Sequence, residues 1–130
     1  MMSFTIHHIG IATPHHDKTL EGYKVLGAVV IKDLVDGKRH VRLSWLKIGE
    51  NYLEIISPVD DSSPVGRIVK NGVAPYHICF QVDDIGAAIE KLRLQGFLLI
   101  EPPSPAVLFD NKRVAFLYSK SVGLIELVEG

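Results

Sequence analysis

Residues 8–13 read His8-Ile-Gly-Ile-Ala-Thr13, and residues 77–82 read His77-Ile-Cys-Phe-Gln-Val82. Each stretch opens on a histidine and has the composition of a buried strand. The two histidines lie 69 residues apart, and the same interval separates Gly27 from Gly96 and Ile31 from Ile100. One structural plan is written twice. In its first copy, Phe4 to Ala12 is strand-like, and Thr13-Pro14 offers a capping hydroxyl followed by Pro at the first helical position. Leu20, Tyr23 and Leu26 share a helical face, and Gly27 suits the left-handed position beyond a helix end. Ala28 to Val35 is rich in β-branched residues, Asp36-Gly37 is a two-residue hairpin signal, and Arg39 to Ile48 continues as a strand. A further strand, Tyr52 to Ser57, follows the turn at Gly49-Glu50-Asn51.

The second copy keeps this order. Tyr76 to Val82 is a strand, Asp83 a helix cap, the helix runs to Gln95, Gly96 ends it, and Phe97 to Glu101 is the next strand. After a Pro-rich loop at Pro102 to Pro105, Val107-Leu-Phe109 and Lys112 to Ser119 read as strands joined at Asp110-Asn111, and Leu124 to Glu129 is the last. Ser63-Pro64 opens a short helix that ends at Asn71-Gly72 and has no counterpart in the second copy. Residues 1–130 are thus one domain, with unit one at 4–57, a linker helix at 58–75 and unit two at 76–130. Most connections are hairpins, which excludes a doubly wound parallel sheet. The expected class is α+β: two tandem β-α-β-β-β units forming a curved, mixed, mostly antiparallel sheet around a metal-centred cavity.

Composition narrows the partners. The 130 residues carry a net charge of −1, with no run of Lys and Arg longer than a pair such as Lys38-Arg39, so a nucleic-acid partner is not expected. No apolar run approaches the roughly 18 residues of a membrane span. The first residues, Met-Met-Ser-Phe-Thr-Ile-His-His, lack a basic leader and an apolar signal core, so the expected location is the cytoplasm. Cys79 is the single cysteine, which removes both an intrachain disulfide and a thiolate-rich zinc site. A metal here takes His and carboxylate ligands.

Each unit supplies one of each. His8 is followed 46 residues later by Glu54 in Tyr-Leu-Glu54-Ile-Ile, and His77 is followed 49 residues later by Glu126 in Leu-Ile-Glu126-Leu-Val. A single Glu inside an apolar strand reads first as a solvent-facing residue. The same pair at the same depth of both units points instead to two imidazoles and two carboxylates converging about a pseudo-twofold axis. A divalent cation cancels the charge of carboxylates that would otherwise be costly to bury. Nitrogen and oxygen donors suit nickel, zinc, cobalt, manganese or iron. Four protein ligands on a six-coordinate ion leave two positions open for Lewis-acid chemistry.

The motifs His8-Ile-Gly-Ile-Ala, Leu-Glu54-Ile-Ile, His77-Ile-Cys-Phe-Gln-Val-Asp-Asp-Ile and Ile-Glu126-Leu-Val-Glu, in that order, resemble the vicinal oxygen chelate superfamily over essentially the whole chain. Its members include glyoxalase I, methylmalonyl-CoA epimerase, extradiol dioxygenases, and fosfomycin and bleomycin resistance proteins. The resemblance implies the paired fold and one divalent ion on His8, Glu54, His77 and Glu126. It also implies a small-molecule thioester, hemithioacetal or acyl-CoA substrate and a homodimer, in some members with sites assembled from two chains. The ligand set is similar to that of nickel-preferring glyoxalase I. The expected activity is therefore a metal-dependent lyase or isomerase of lactoylglutathione lyase type, with Glu126 as the base and Glu54 as its partner carboxylate.

Departures from that pattern leave a second reading open. The glutathione-binding glyoxalases carry Arg four residues after the first ligand and Asn four after the second, where this chain has Ala12 and Pro58. The segment Asp61-Ser-Ser-Pro64 through Asn71-Gly72 is similar to the epimerase linker. That branch usually has Gln at the position of Glu54 and an acid on the second or third strand, where this chain reads Lys38-Arg-His-Val-Arg-Leu-Ser-Trp45 and offers His40. An acyl-CoA epimerase is the alternative, a non-catalytic small-molecule binding module the third reading, and a ring-cleaving dioxygenase the fourth. Among the remaining candidates, His7 is expected on the strand exterior, His15 and His16 in solvent at the helix start, Cys79 in the core or lining the cavity, and Trp45 and Phe109 in core packing or an apolar substrate wall.

Overall fold

The computed structural model describes residues 2–130. Their elements are β1 (Thr5–Ala12), α1 (His16–Val25), β2 (Val29–Asp36), β3 (Val41–Ile48), β4 (Asn51–Pro58), β5 (Ala74–Val82), α2 (Ile85–Leu94), β6 (Leu98–Ala106), β7 (Lys112–Ser119) and β8 (Gly123–Glu129). They fall into two compact units. The N-terminal unit is His8–Tyr76, and the C-terminal unit is His77–Gly130 together with the segment ending at His7.

The N-terminal unit orders its strands β2-β3-β4-β1. The β1/β4 pair is parallel, because α1, β2 and β3 intervene, and the two hairpin-connected pairs are antiparallel. Leu20 of α1 packs with Ala28, Leu46 and Ile55 on one face of this sheet, with Ile11, Tyr23 and Leu53 around them. Gly27 ends the helix at φ +100, a conformation that penalises any side chain.

The C-terminal unit repeats the scheme with the order β5-β8-β7-β6, a parallel β5/β8 pair and two antiparallel pairs. Ile85, Ala88 and Ile89 of α2 cover Ala115, Leu117, Ile125 and Leu127. Met2 and Phe4 pack against the same cluster, and the Phe4 ring meets Phe80 edge-on at 6.5 Å between centroids. Gly96 closes α2 at φ +94, as Gly27 closes α1. The class is α+β, as expected, and each unit is a mixed, mostly antiparallel β-α-β-β-β unit.

Several local expectations are corrected. Thr13 does not cap α1 directly; its Oγ1 accepts from the His15 amide at 3.0 Å and meets Thr19 Oγ1 at 2.7 Å, so the helix starts at His16, behind an extra bend. The β2/β3 hairpin has a four-residue loop, not two. The buried carboxylate of Asp36 accepts from the Lys38 and Arg39 amides and holds Arg39 Nη1 at 3.0 Å, while His40 takes φ +58. Residues 59–73 form successive turns and no helix, with Val69 N donating to Val65 O and Gly72 N to Val69 O. Pro64, Gly66 and the β-branched Val65, Ile68 and Val69 disfavour a regular helix there. Asp84, not Asp83, caps α2, accepting from the Ala87 amide at 3.0 Å. The Pro102 to Pro105 stretch belongs to β6, tolerated because that strand ends its unit's order and pairs only with β7 on one side. Val107–Phe109 is a single 3-10 turn, followed by Asp110 and Asn111 at φ +54 and +63.

Candidate metal centre

Strand alternation gives each unit's sheet a helix-covered face and an opposite face. In the N-terminal unit, Glu54 pairs with Gly10 on β1 and with Trp45 on β3, so all three lie on the face opposite α1, and His8 shares that face two residues before Gly10. His8 Nε2 lies 3.8 Å from Glu54 Oε1. The Trp45 ring stands edge-on to the His8 ring, 5.1 Å between centroids, and stacks on Tyr52 at 5.0 Å.

The C-terminal unit builds the same rung. Glu126 pairs with Cys79 on β5 and with Phe116 on β7, and His77 precedes Cys79 by two residues on the same face. His77 Nε2 lies 3.0 Å from Glu126 Oε1, and the Phe116 ring stands edge-on to His77 at 5.4 Å. All four ligand candidates, His8, Glu54, His77 and Glu126, are buried, each at 4 % exposure or less. Atoms that share an ion through bonds of roughly 2.0–2.2 Å stand about 3 Å apart, so both His–Glu pairs suit metal ligation with little movement. An aromatic ring beside each imidazole restricts its rotation and dries its surroundings.

The other candidates separate from this rung. His40 sits in the β2/β3 loop with Nδ1 3.1 Å from Asp60 Oδ2, one residue before Val41, which itself lies roughly 13 Å along β3 from Trp45 at about 3.3 Å per residue. That places it away from the rung of Glu54 and Trp45. His7 is half-buried with its ring edge-on to Phe109 at 5.3 Å, so neither is a free exterior group. Cys79 is fully buried opposite Glu126. Pro58 rims an open cleft of about 460 Å³ lined by Asp60, Asp61, Arg67 and Lys70, a mixed-charge surface with no bias toward anions.

One buried polar group was missed. His15 is exposed as expected, but His16 is only 7 % exposed, with Nδ1 2.6 Å from Ser57 Oγ and Nε2 2.7 Å from Ser44 Oγ. Burial, reinforced by the Arg42 charge and opposed by Asp33 and Asp17, lowers its pKa from 6.5 to about 4. The available signal was spacing: His16 lies one helical turn before Leu20 and shares its buried face. The network lies on the helix side of the sheet, since Ser44 pairs with Ile55 of the core.

Residues 7–116 match the family model described as the Glyoxalase/Bleomycin resistance protein/Dioxygenase superfamily. The chain belongs to that superfamily. Methylmalonyl-CoA epimerase of Dictyostelium discoideum, named as mitochondrial, is 31 % identical over 129 residues, covering 95 % of this chain and 77 % of the relative. A variant of Streptomyces coelicolor methylmalonyl-CoA epimerase, solved in complex with 2-nitronate-propionyl-CoA, is 33 % identical with a TM-score of 0.86, covering 98 % of this chain and 99 % of that one. The Mycobacterium tuberculosis methylmalonyl-CoA epimerase is 27 % identical with a TM-score of 0.83, over 95 % and 86 % of the two chains. Within the superfamily the relatives favour the epimerase alternative over the lactoylglutathione lyase expected first. Among the described residues no helix is long and apolar enough to cross a membrane.

Proposed function

We propose that the protein is a metal-dependent epimerase that moves the C2 proton of a 2-substituted malonyl-CoA thioester of the methylmalonyl-CoA class. The observation that carries this is the buried His–Glu–aromatic rung, built at the same register of both units, in a chain whose relatives are methylmalonyl-CoA epimerases. One His and one Glu are half of a ligand set. His8 and Glu54 with His77 and Glu126, from one chain or from paired copies in a homodimer, complete it for one ion. The donors suit nickel, zinc, cobalt, manganese or iron.

A divalent ion held there supplies the positive charge that makes a bound thioester carbonyl electron-poor and its enolate form accessible. Glu126, with Glu54 as partner, takes the C2 proton onto a carboxylate oxygen while the C–H electron pair passes into the enolate. Returning a proton to the opposite side of C2 completes inversion. Trp45 and Phe116 exclude water around the two imidazoles. Ala12 and Pro58, in place of the Arg and Asn of glutathione-binding glyoxalases, support an acyl-CoA over a glutathione adduct.

The test is metal analysis of the purified protein, followed by exchange of the C2 hydrogen of methylmalonyl-CoA in deuterated buffer beside a methylglyoxal–glutathione assay. Near-stoichiometric divalent metal and fast C2 exchange are expected, with Glu126→Gln slowing exchange by about 100-fold or more. Exchange no faster than buffer alone refutes the epimerase reading, and methylglyoxal turnover in its place restores the lyase. Binding of the thioester with neither turnover leaves a non-catalytic module.

A further inference from the structure

Inversion at C2 needs a proton carrier on each side of the carbon, and the acid anticipated on β2 or β3 is missing. On the Glu54 face of those strands the one carboxylate is Asp36, which is engaged by the turn amides and Arg39. The C-terminal unit holds the missing group. In β6, Leu99 pairs with Leu117, and a regular ladder would then set Ile100 opposite Phe116 and turn Glu101 toward the helix face. The register instead skips Ile100, so that Glu101 pairs with Phe116. That one-residue bulge moves Glu101 onto the face of His77 and Glu126.

The same device occurs at the equivalent place of the other unit. Val30 pairs with Leu46, Ile31 is skipped, and Lys32 pairs with Trp45. Ile31 and Ile100, and hence Lys32 and Glu101, are again 69 residues apart. A bulge kept at both positions of a repeat re-aims the residue that follows it. In the N-terminal unit that residue is a cation, and in the C-terminal unit it is a carboxylate. Glu101 is half-buried, accepts from Ser104 Oγ at 3.4 Å, and precedes a second register shift that brings Ser104 onto the same face opposite Val114. Glu101, Phe116 and Glu126 therefore occupy one rung of three adjacent strands, with the outer two backbones roughly 10 Å apart at about 4.8 Å per strand. Glu101 and Glu126 thus flank Phe116 on the same face of the sheet.

We infer that Glu101 is the second proton carrier of the epimerase reading on which this inference rests. Glu126 removes the proton from one side of C2, and Glu101, protonated, delivers one to the other side; in the reverse direction the roles exchange. No further reactant is required, since the proton lost and the proton gained balance.

The experiment follows C2–H/D exchange and stereochemical inversion of single methylmalonyl-CoA epimers in parallel, with the metal-loaded wild type, Glu101→Gln and Glu101→Asp. Wild type is expected to exchange and invert at similar rates. Glu101→Gln is expected to lose inversion by about 100-fold or more while retaining exchange of one epimer within about tenfold, at unchanged metal content. Glu101→Asp is expected to recover part of the inversion. Inversion by Glu101→Gln within about threefold of wild type overturns the inference and leaves the epimerase reading standing. Equal loss of exchange and inversion also overturns it, because that is loss of the site and not of one proton carrier. Wild type that neither exchanges nor inverts sinks the epimerase reading and this inference together.

Discussion

Replacing His16 with Gln tests the buried hydroxyl–imidazole network through its pH dependence. Both ring nitrogens of His16 are engaged, by Ser57 and Ser44, and its pKa is held at about 4 against 6.5 in the unfolded chain, chiefly by burial and then by Arg42. Between those two values the unfolded chain takes up a proton that the folded protein refuses. The stability His16 contributes is therefore complete above pH 6.5, falls as the pH drops toward 4, and changes no further below that. The full gap corresponds to about 3 kcal/mol and the interval from pH 7 to pH 5 to about 2 kcal/mol, which residual solvent screening reduces to about 1–2 kcal/mol. His16→Gln keeps a polar group of similar reach and removes the titration. At pH 7 the variant is expected to be about 1 kcal/mol less stable than wild type, from poorer hydrogen bonds to the two serines. At pH 5 that difference closes or reverses. Urea unfolding at pH 7, 6 and 5 reads this as a difference between the two proteins, in which every other titrating group cancels. A wild-type midpoint that falls by about 1 M relative to the variant is the expected result. Parallel pH profiles, separated by a constant amount, would refute the assignment of a depressed pKa to His16.

Two further outcomes test the two ends of α2. Asp84→Ala removes the acceptor for the Ala87 amide and is expected to cost about 1 kcal/mol in urea unfolding, while Asp83→Ala changes stability by less than about 0.5 kcal/mol; equal effects would contradict the assignment of the cap. Gly96→Ala, at φ +94 with open space around the added methyl, is expected to cost about 1–2 kcal/mol from backbone strain alone, and its thermal midpoint should fall accordingly. A neutral result there would mean that the helix ends by another geometry.

The repeat was legible because its markers sit where chemistry leaves few choices. Gly27 and Gly96 occupy positive φ, and His8 and His77 each lie two residues before the strand partner of their glutamate. The interval of 69 also aligned Ile31 with Ile100 without revealing that both are bulges. A bulge is a property of two strands, and neither strand's own sequence announces it. For the same reason the face presented by Lys32 and Glu101 emerged only from the pairing with Trp45 and Phe116. Pro102 to Pro105 reads as a loop under propensities averaged over all strands, whereas an edge strand leaves those missing amides without cost. The linker misled in the opposite way, since the Ser63-Pro64 start signal was genuine and the residues after it do not propagate a helix. His16 reads as a solvated helix start because its partners lie 28 and 41 residues away on other elements.

The C-terminal unit takes part of its apolar packing from the opposite end of the chain, since Met2 and Phe4 lie against Phe80 and the α2 cluster. During synthesis Phe4 leaves the ribosome long before Phe80 exists, so the short segment ahead of β1 waits, exposed, until almost all of the polypeptide has been made. Closing a contact across that separation carries the entropy of a long loop and places the protein toward the slow, non-local end of folding rates. While the place is open, the corresponding segment of a second molecule fits it equally well, and exchange of that segment between copies becomes the natural misassembly of this chain at high concentration.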